Sequence, residues 1–185
     1  MRKILLLLIL ISVILGGCGT KDNSSDVNGN DKKTAEEVQT DEKQNEQQEP
    51  SGYAFEYNGV TIYMNTDVKS VIDKLGDPLN YFEAESCAFK GLDKFYTYPG
   101  FEITTYPMNG KDYISSVNLM DDTVSTPEGI YLGSTVDDMI AAYGDNYTES
   151  SGSYTYIKDD SKLQFIVKDD EIISITYLAI VEGLE

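Results

Sequence analysis

Histidine and tryptophan are absent from this chain of 185 residues, and cysteine occurs only twice. Without histidine the chain cannot form a Ser/His/Asp triad, a Cys/His catalytic pair or an imidazole metal site, so we expect no enzyme of those classes. Basic residues are also few, at 14 against 32 acidic ones, which gives a formal net charge of −18. This charge disfavours nucleic acid as a partner and favours a basic protein, a cationic ligand or a metal ion, although it is also typical of surfaces that only maintain solubility.

The N-terminus carries an apolar segment that is too short to span a membrane. Arg2 and Lys3 precede residues 4–15, a run of about 12 residues that is apolar except for Ser12. A spanning helix needs about 20 residues, so residues 1–17 are predicted to be a signal peptide. The run ends in Leu15-Gly16-Gly17-Cys18, which resembles the bacterial lipobox. The resemblance implies cleavage before Cys18 and acylation of Cys18, including palmitate. An ordinary secretory leader with a chance cysteine is the alternative.

Acylation of Cys18 would place the protein on the extracytoplasmic face of the cell membrane. Two acyl chains give stable anchoring without a transmembrane helix. Gly19 follows the cysteine, so the aspartate that retains lipoproteins at a Gram-negative inner membrane is missing. A Gram-positive membrane is favoured by the family resemblance given below, and an outer-membrane leaflet remains the alternative.

Residues 18–52 are predicted to be a disordered acidic tether. They are almost entirely polar or glycine, with Val27 and Val38 as the only branched apolar residues between positions 19 and 51. Such a composition cannot bury enough apolar surface to offset the entropy of ordering. A flexible segment of this length has a root-mean-square span of about 30 Å, which would hold the following domain away from the lipid.

Residues 53–185 are predicted to form a globular domain of two repeats, about 53–122 and 123–185. The first contains Ile62-Tyr63-Met64, Thr66 and an amphipathic segment from position 68 that ends before Gly76. The same pattern recurs 68 positions later, with Ile130-Tyr131-Leu132, Ser134 and Gly144. Each is typical of a short strand, an N-capping hydroxyl, a two-turn helix and a glycine C-cap.

A run of strands is predicted after each helix. Alternating residues and turn-forming pairs indicate strands at 86–89, 94–98, 101–106 and 113–119, and at 147–150, 153–157, 163–167 and 172–178. The predicted fold class is therefore α+β, with two tandem units that are each a short helix packed on a four-stranded antiparallel meander sheet. An isolated unit of about 65 residues would be marginally stable, so the two units should share a core.

Four segments resemble a group of clostridial lipoproteins; they are residues 86–89, 93–103, 111–114 and 126–130. The resemblance extends over most of residues 53–177 and implies a Gram-positive lipoprotein. The repeated helix-and-meander plan is similar to the fold of beta-lactamase-inhibitor protein and, more distantly, to small lipoproteins of the outer-membrane barrel-assembly machinery. The likeness to the inhibitor concerns architecture only, so it implies no inhibition of a beta-lactamase.

A tyrosine-rich sheet face is the predicted partner-binding surface. If the helices cover the face that carries Phe101 and Ile103, side-chain alternation leaves the tyrosines on an open face. Tyrosine offers rigid contact area with a polar tip, which suits protein recognition. Cross-strand tyrosine pairs that only stabilise the sheet are the alternative. The predicted partner-binding residues are Tyr96, Tyr98, Glu102, Tyr106, Tyr154 and Tyr156.

The remaining candidates favour structural roles. The Asp doublets at 121–122, 159–160 and 169–170 do not match the ligand spacing of an EF-hand, so they are interpreted as turn residues and no metal or cofactor is predicted. Cys87 is expected to be a small buried strand residue. Glu83 and Glu85 could serve acid–base chemistry but are expected to lie in a loop without a pocket. The predicted function is a membrane-anchored protein- or peptide-interaction module, with a solute- or cation-binding lipoprotein and then an envelope enzyme as alternatives.

Overall fold

The computed structural model describes residues 49–181. The predicted signal peptide, the lipobox residues Leu15, Gly16 and Gly17, the acylated Cys18 and most of the tether lie outside the described residues. Among the residues that are described, no helix has the length and apolarity needed to cross a bilayer.

Twelve elements make up the described chain, and ten of them are strands. The first part contains β1 (Ala54–Tyr57), β2 (Val60–Tyr63), α1 (Val68–Leu75), β3 (Asn80–Glu85), β4 (Leu92–Tyr98), β5 (Phe101–Met108) and β6 (Lys111–Leu119). The second contains α2 (Val136–Tyr143), β7 (Thr148–Ser150), β8 (Ser153–Lys158), β9 (Ser161–Lys168) and β10 (Glu171–Ala179). The predicted mixture of two short helices with antiparallel strands is confirmed.

Eight strands form one antiparallel sheet in the order β3-β4-β5-β6-β10-β9-β8-β7. Neighbouring strands are therefore sequential within each half of the sheet, and β6 and β10 join the halves at its centre. Each of these two central strands has a bulge, because Ser115 in β6 and Ile173 in β10 have no cross-strand partner. The two bulges lie 58 positions apart, so strand pairing breaks at corresponding points in the two halves.

Both helices follow the predicted bounds, but their N-caps are each one residue later than expected. Asp67 accepts a hydrogen bond from the amide of Lys69, and Thr135 forms a capping box with Asp138. Thr66 and Ser134 instead close the preceding turns, through hydrogen bonds with the backbone of Tyr63 and Tyr131. The predicted caps were wrong because both hydroxyls bond to the backbone of the preceding turn instead of to the amides of the first helical turn.

The hairpin of β1 and β2 forms a separate two-stranded sheet. β2 overlaps the strand predicted at residues 62–64, whereas β1 and the hairpin were not predicted. Asn58 and Gly59 both have positive φ at its turn, as a tight hairpin requires. Phe55 and Ile62 are fully buried in the same core as the helices and the large sheet. No strand is present at the corresponding residues 130–132 of the second half, so the strand predicted there is wrong.

The predicted strand at residues 86–89 is also wrong. The backbone bends at residues 87–90, after β3 has ended at Glu85. Cys87 is therefore exposed instead of buried in a strand. The strand of this region lies several residues earlier, and it contains Glu83 and Glu85, which were expected to lie in a loop.

Candidate binding edge and cleft

The helices cover the face of the sheet that carries the tyrosines, contrary to the prediction. Tyr98 lies directly opposite Phe101 across the β4–β5 hairpin, and Tyr96 lies opposite Ile103. Directly paired residues point to the same side of a sheet, so these tyrosines share the side of Phe101 and Ile103, which belongs to the core. We call this side the inner face and the opposite side the outer face.

In the second half of the sheet the tyrosines are also paired directly with core residues. Tyr154 is paired with Phe165 and Tyr156 with Leu163, both of which are fully buried. Tyr98 and Tyr156 are only 4% and 2% exposed, whereas Tyr96 and Tyr154 are partly buried beside the core. An open tyrosine face on these strands is therefore wrong, because the two-residue turns at residues 99–100 and 159–160 set registers in which each tyrosine faces the same way as its core partner.

Tyr98 and Tyr156 have matching structural roles. The phenol of Tyr98 donates a hydrogen bond of 2.8 Å to the carbonyl oxygen of Gly76, which ends α1. The phenol of Tyr156 donates one of 2.7 Å to the carbonyl oxygen of Gly144, which ends α2. Burial raises the pKa of both phenols, to about 12 for Tyr156. Each tyrosine therefore ties the end of a helix to the inner face.

The other two predicted partner-binding residues are separated from each other. Tyr106 is buried, because Phe89 stacks on its ring at a centroid distance of 4.8 Å and its phenol donates a hydrogen bond to Asn65. Glu102 lies on the outer face, half-buried, and accepts a hydrogen bond from Thr97. Of the six predicted residues, only Glu102 is on the outer face next to polar neighbours.

One polar side chain from each of the eight strands of the large sheet forms a continuous row across the outer face. Cross-strand pairing places the row in the order Asn80, Thr97, Glu102, Asn118, Thr176, Gln164, Thr155 and Thr148. Three hydrogen bonds between side chains join neighbours within it, such as Thr176 to Asn118 at 3.0 Å. The outer face is thus the solvated side expected for an antiparallel sheet with one covered face.

The two outermost strands of the sheet differ sharply. β7 has three residues, Thr148–Ser150, all polar and exposed. β3 has six residues, and Phe82 in it is 58% exposed, while Leu79 just before it is 73% exposed. Proteins usually shorten or charge an edge strand to prevent pairing with other chains. β7 is short and wholly polar, whereas β3 is longer and exposes apolar side chains, so β3 is the edge that remains available for pairing.

Aromatic rings lie on both sides of β3. Tyr81 contacts Tyr96 of β4 on the inner face, with ring centroids 5.1 Å apart. Phe82 contacts Phe95 on the outer face, with ring centroids 5.7 Å apart. The phenol of Tyr81 donates a hydrogen bond of 2.7 Å to the carboxylate of Glu83, which raises the pKa of Tyr81. The edge therefore offers apolar contact and fixed negative charge within a few residues.

A cleft of about 470 Å³ lies beside Tyr96, between α1 and the start of β6. Val68 and Ile72 of the helix form part of its wall, and Gly110, Lys111 and Asp112 line the opposite side. All three ion pairs of the described residues border it; they are Lys69–Asp73, Lys94–Asp112 and Lys111–Asp67, at 2.7, 2.8 and 3.1 Å. The cleft therefore combines an apolar wall with paired charges of both signs.

The ion pairs around the cleft shift the pKa of Lys94 and of Asp67. A hydrogen bond from Lys94 to Asp112 raises the pKa of Lys94 despite its partial burial. Partial burial acts to raise the pKa of Asp67, but the Lys69 amide and the Lys111 ammonium outweigh it, and the pKa is lowered. Lys94 and Asp67 are therefore charged at neutral pH, and the three ion pairs place equal numbers of basic and acidic side chains around the cleft.

Metal ligands do not converge in the part of the chain that the structure describes, since no three Asp, Glu, Cys or His side chains cluster there. Asp159, Asp169 and Asp170 all have positive φ, which is the backbone conformation of the tight turns between strands β8, β9 and β10. Their position in turns agrees with the interpretation of the Asp doublets as turn residues.

Leu79, Tyr81 and Phe82 were not among the predicted site residues. A local signal is present, because residues 82–85 alternate between apolar and acidic residues and lie between a helix C-cap and a second strand. The adjacent aromatic residues Tyr81 and Phe82 interrupt the period-two pattern of a half-buried strand, and the prediction placed Glu83 and Glu85 in a loop.

Comparisons with known proteins yield only distant structural likenesses. No protein-family model and no curated protein sequence matches the chain. A cysteine-rich secretory protein from Staphylococcus aureus superposes with a TM-score of 0.40 and 13% sequence identity. An extracellular protein containing an SCP domain from Bacillus anthracis superposes with a TM-score of 0.37 and 12% identity. Each alignment covers 63% of this chain and 44% of the other, so the chain spans less than half of either structure.

Proposed function

We propose that this protein is a membrane-anchored, extracytoplasmic interaction module that binds an extended segment of a partner protein along β3. The added segment would pair with the outer backbone edge of β3 and extend the sheet by one strand. Backbone hydrogen bonds give such complexes affinity, and alternate side chains give them specificity. The observation that carries the proposal is the difference between the two sheet edges, since β3 is long and aromatic where β7 is short and polar.

The charge of the protein indicates which kind of partner would be attracted. With a net charge of −18, the whole chain attracts basic proteins and repels acidic ones. Glu83 and Glu85 bring this charge to β3 itself, because both are exposed. A basic partner would therefore associate faster, and its affinity would fall as salt concentration rises.

The anchor and the tether complete the proposed function. Acylation of Cys18, a disordered segment at residues 18–52 and membership of the clostridial lipoprotein group are supported by the sequence. We also infer that the two halves of residues 53–185 are copies of one helix-and-meander unit. The matching bulges and the matching bonds from Tyr98 to Gly76 and from Tyr156 to Gly144 support this relationship.

The test is to select extended peptides from a random displayed library against the full chain in detergent micelles, and then to compare two variants. Phe82→Asn removes the exposed aromatic side chain from β3. Ile157→Asn is the matched control, because Ile157 is 59% exposed on β8 and Phe82 is 58% exposed on β3. Selected peptides should lose binding to the first variant only, and should slow amide exchange of residues 80–85 without affecting residues 148–150. Equal binding to both variants would contradict the proposal.

The cleft beside Tyr96 supports a second candidate function, the binding of a small solute that carries both charges. Its volume of about 470 Å³ is within the usual range for small-ligand sites, and its paired charges suit a zwitterion such as an amino acid. Calorimetric titration of amino acids would test this, with Ile72→Asp as the variant that places a carboxylate in the apolar wall. A heat of binding that Ile72→Asp leaves unchanged would exclude the cleft.

A further inference from the structure

We infer that the partner segment alternates basic and apolar side chains, an inference that rests on the proposed strand addition at β3. The two sides of β3 differ in chemistry. Tyr81, Glu83 and Glu85 share the inner side, and Asn80, Phe82 and Ala84 share the outer side. A strand added beside β3 must present its successive side chains to these two sides in turn, because side chains alternate with a period of two.

The inner side of β3 favours a positive charge. Glu83 and Glu85 are exposed and spaced so that both meet side chains from one side of an added strand. Tyr81 adds the face of an aromatic ring two residues away, which attracts a lysine or arginine cation. Its hydrogen bond to Glu83 holds the phenol and the carboxylate together, so the negative charge at this position is kept in place.

The outer side of β3 favours an apolar side chain. Phe82 is exposed and rests against Phe95, and Ala84 next to it has a side chain too small to cover the neighbouring surface. A branched apolar side chain placed opposite Phe82 would bury part of that ring, which is favourable in proportion to the apolar area removed from water. One added strand can satisfy both sides only if basic and apolar residues alternate along it.

The positions of the ionic groups distinguish this pattern from general attraction to a basic protein. Lys94 faces the inner side next to Glu83, but its charge is neutralised by Asp112 at 2.8 Å. The net charge on the inner side of β3 therefore stays negative. A close charge pair in water changes affinity by about fivefold, so two such pairs give an effect of tenfold or more.

The experiment measures fluorescence anisotropy of four labelled peptides of eight residues against the full chain in detergent micelles. Their sequences alternate Val and Lys, Val and Gln, Ser and Lys, or Val and Glu. We expect the Val/Lys peptide to bind about tenfold more tightly than either the Val/Gln or the Ser/Lys peptide, and the Val/Glu peptide to bind most weakly. The tighter binding of the Val/Lys peptide relative to the Val/Gln peptide should weaken when salt is raised from about 0.05 to about 0.5 M.

The double variant Glu83→Gln, Glu85→Gln should remove the preference for Val/Lys over Val/Gln. The matched control is Asp169→Asn, Glu171→Gln, which removes the same number of exposed carboxylates at the β9–β10 turn and should keep the preference. Equal binding of Val/Lys and Val/Gln peptides, with both lost in Phe82→Asn, would overturn the alternating pattern while strand addition stands. Binding of none of the peptides at residues 80–85 would overturn both.

Discussion

The phenol of Tyr98 lies 2.8 Å from the carbonyl oxygen of Gly76 and donates a hydrogen bond to it. This single contact joins the last residue of β4 to the glycine that ends α1, and Tyr156 repeats it at Gly144 in the second half. Both tyrosines therefore act inside the domain. The exposed aromatic side chains available to a partner lie on the neighbouring edge strand instead.

Replacing Tyr98 or Tyr156 with phenylalanine should lower the free energy of unfolding by about 1 kcal/mol in each case, because each change removes one hydrogen bond and keeps the buried ring. Urea denaturation followed by tyrosine fluorescence is the measurement, which is simple in a protein without tryptophan. Tyr131→Phe is the matched control, since that ring is exposed. Equal stability of all three variants would show that the two helix-end bonds contribute nothing.

Gly100→Ala should destabilise the protein far more than Gly110→Ala. Both glycines have positive φ in two-residue turns, so each substitution has the conformational cost of about 1–2 kcal/mol. At Gly100 a Cβ atom would also lie 2.7 Å from Val124 and 2.8 Å from Thr123, whereas nothing lies within 4 Å at Gly110. That overlap should add about 1–3 kcal/mol in thermal or urea unfolding. A similar loss in both variants would refute the close packing of residues 123–124 on this turn.

Phe101→Ala should lower the free energy of unfolding by about 3–5 kcal/mol, because the side chain is fully buried and its loss leaves a cavity. Its ring contacts Phe55 and Tyr57, with centroids 4.9 and 4.8 Å away. Phe82→Ala should cost about 1 kcal/mol or less, since that ring is mostly exposed and has one aromatic neighbour. Comparable losses on denaturant unfolding would mean that Phe82 belongs to the core and is not a binding residue.

Stability should decline above pH 10, and Tyr156→Phe should make the decline shallower. Burial raises the pKa of Tyr156 to about 12. A raised pKa contributes stability that is fully present below the ordinary tyrosine value of about 10 and is lost as pH rises towards 12, because the unfolded chain ionises first. Urea midpoints at several pH values between 9 and 12 measure the slope. The same slope in parent and variant would be inconsistent with this burial effect.

Cys18→Ser should abolish incorporation of labelled palmitate and release the protein from the membrane fraction, since thioether formation requires the thiol. Cys87→Ser is the matched control, because Cys87 is an exposed free cysteine within the globular domain. It should keep both the label and the membrane association. Label that survives in Cys18→Ser would contradict the lipoprotein assignment and the proposed location together.

The helices and most strands could be predicted because their signals are local. The amphipathic segments at 68–75 and 136–143 each end at a glycine, and the structure places helices at these residues. The hairpin at Asn58 and Gly59 also has a strong local signal in its Asn-Gly pair, but it was not predicted. The N-caps were misplaced by one residue because Thr66 and Asp67, like Ser134 and Thr135, can both cap a helix and only the geometry of the preceding turn decides between them.

The orientation of the tyrosines could have been predicted from the turn at Pro99 and Gly100. A two-residue turn pairs its flanking residues directly, so Tyr98 must face the same side as Phe101. The prediction treated each strand separately and assigned opposite faces to them. The register of strand pairing therefore decides which side chains are buried, because a shift of one residue exchanges the buried and the exposed side chains of a strand.

The sequence by itself determined the two helices, most strands of the large sheet and the acidic charge, because periodicity, capping and turn residues act over a few neighbouring positions. Only the tertiary structure decided that β6 and β10 join the halves, which leaves β3 and β7 as the two edges. Which edge stays open depends on strand order and on packing between residues far apart in the chain. Side-chain patterns along a single strand do not contain that information.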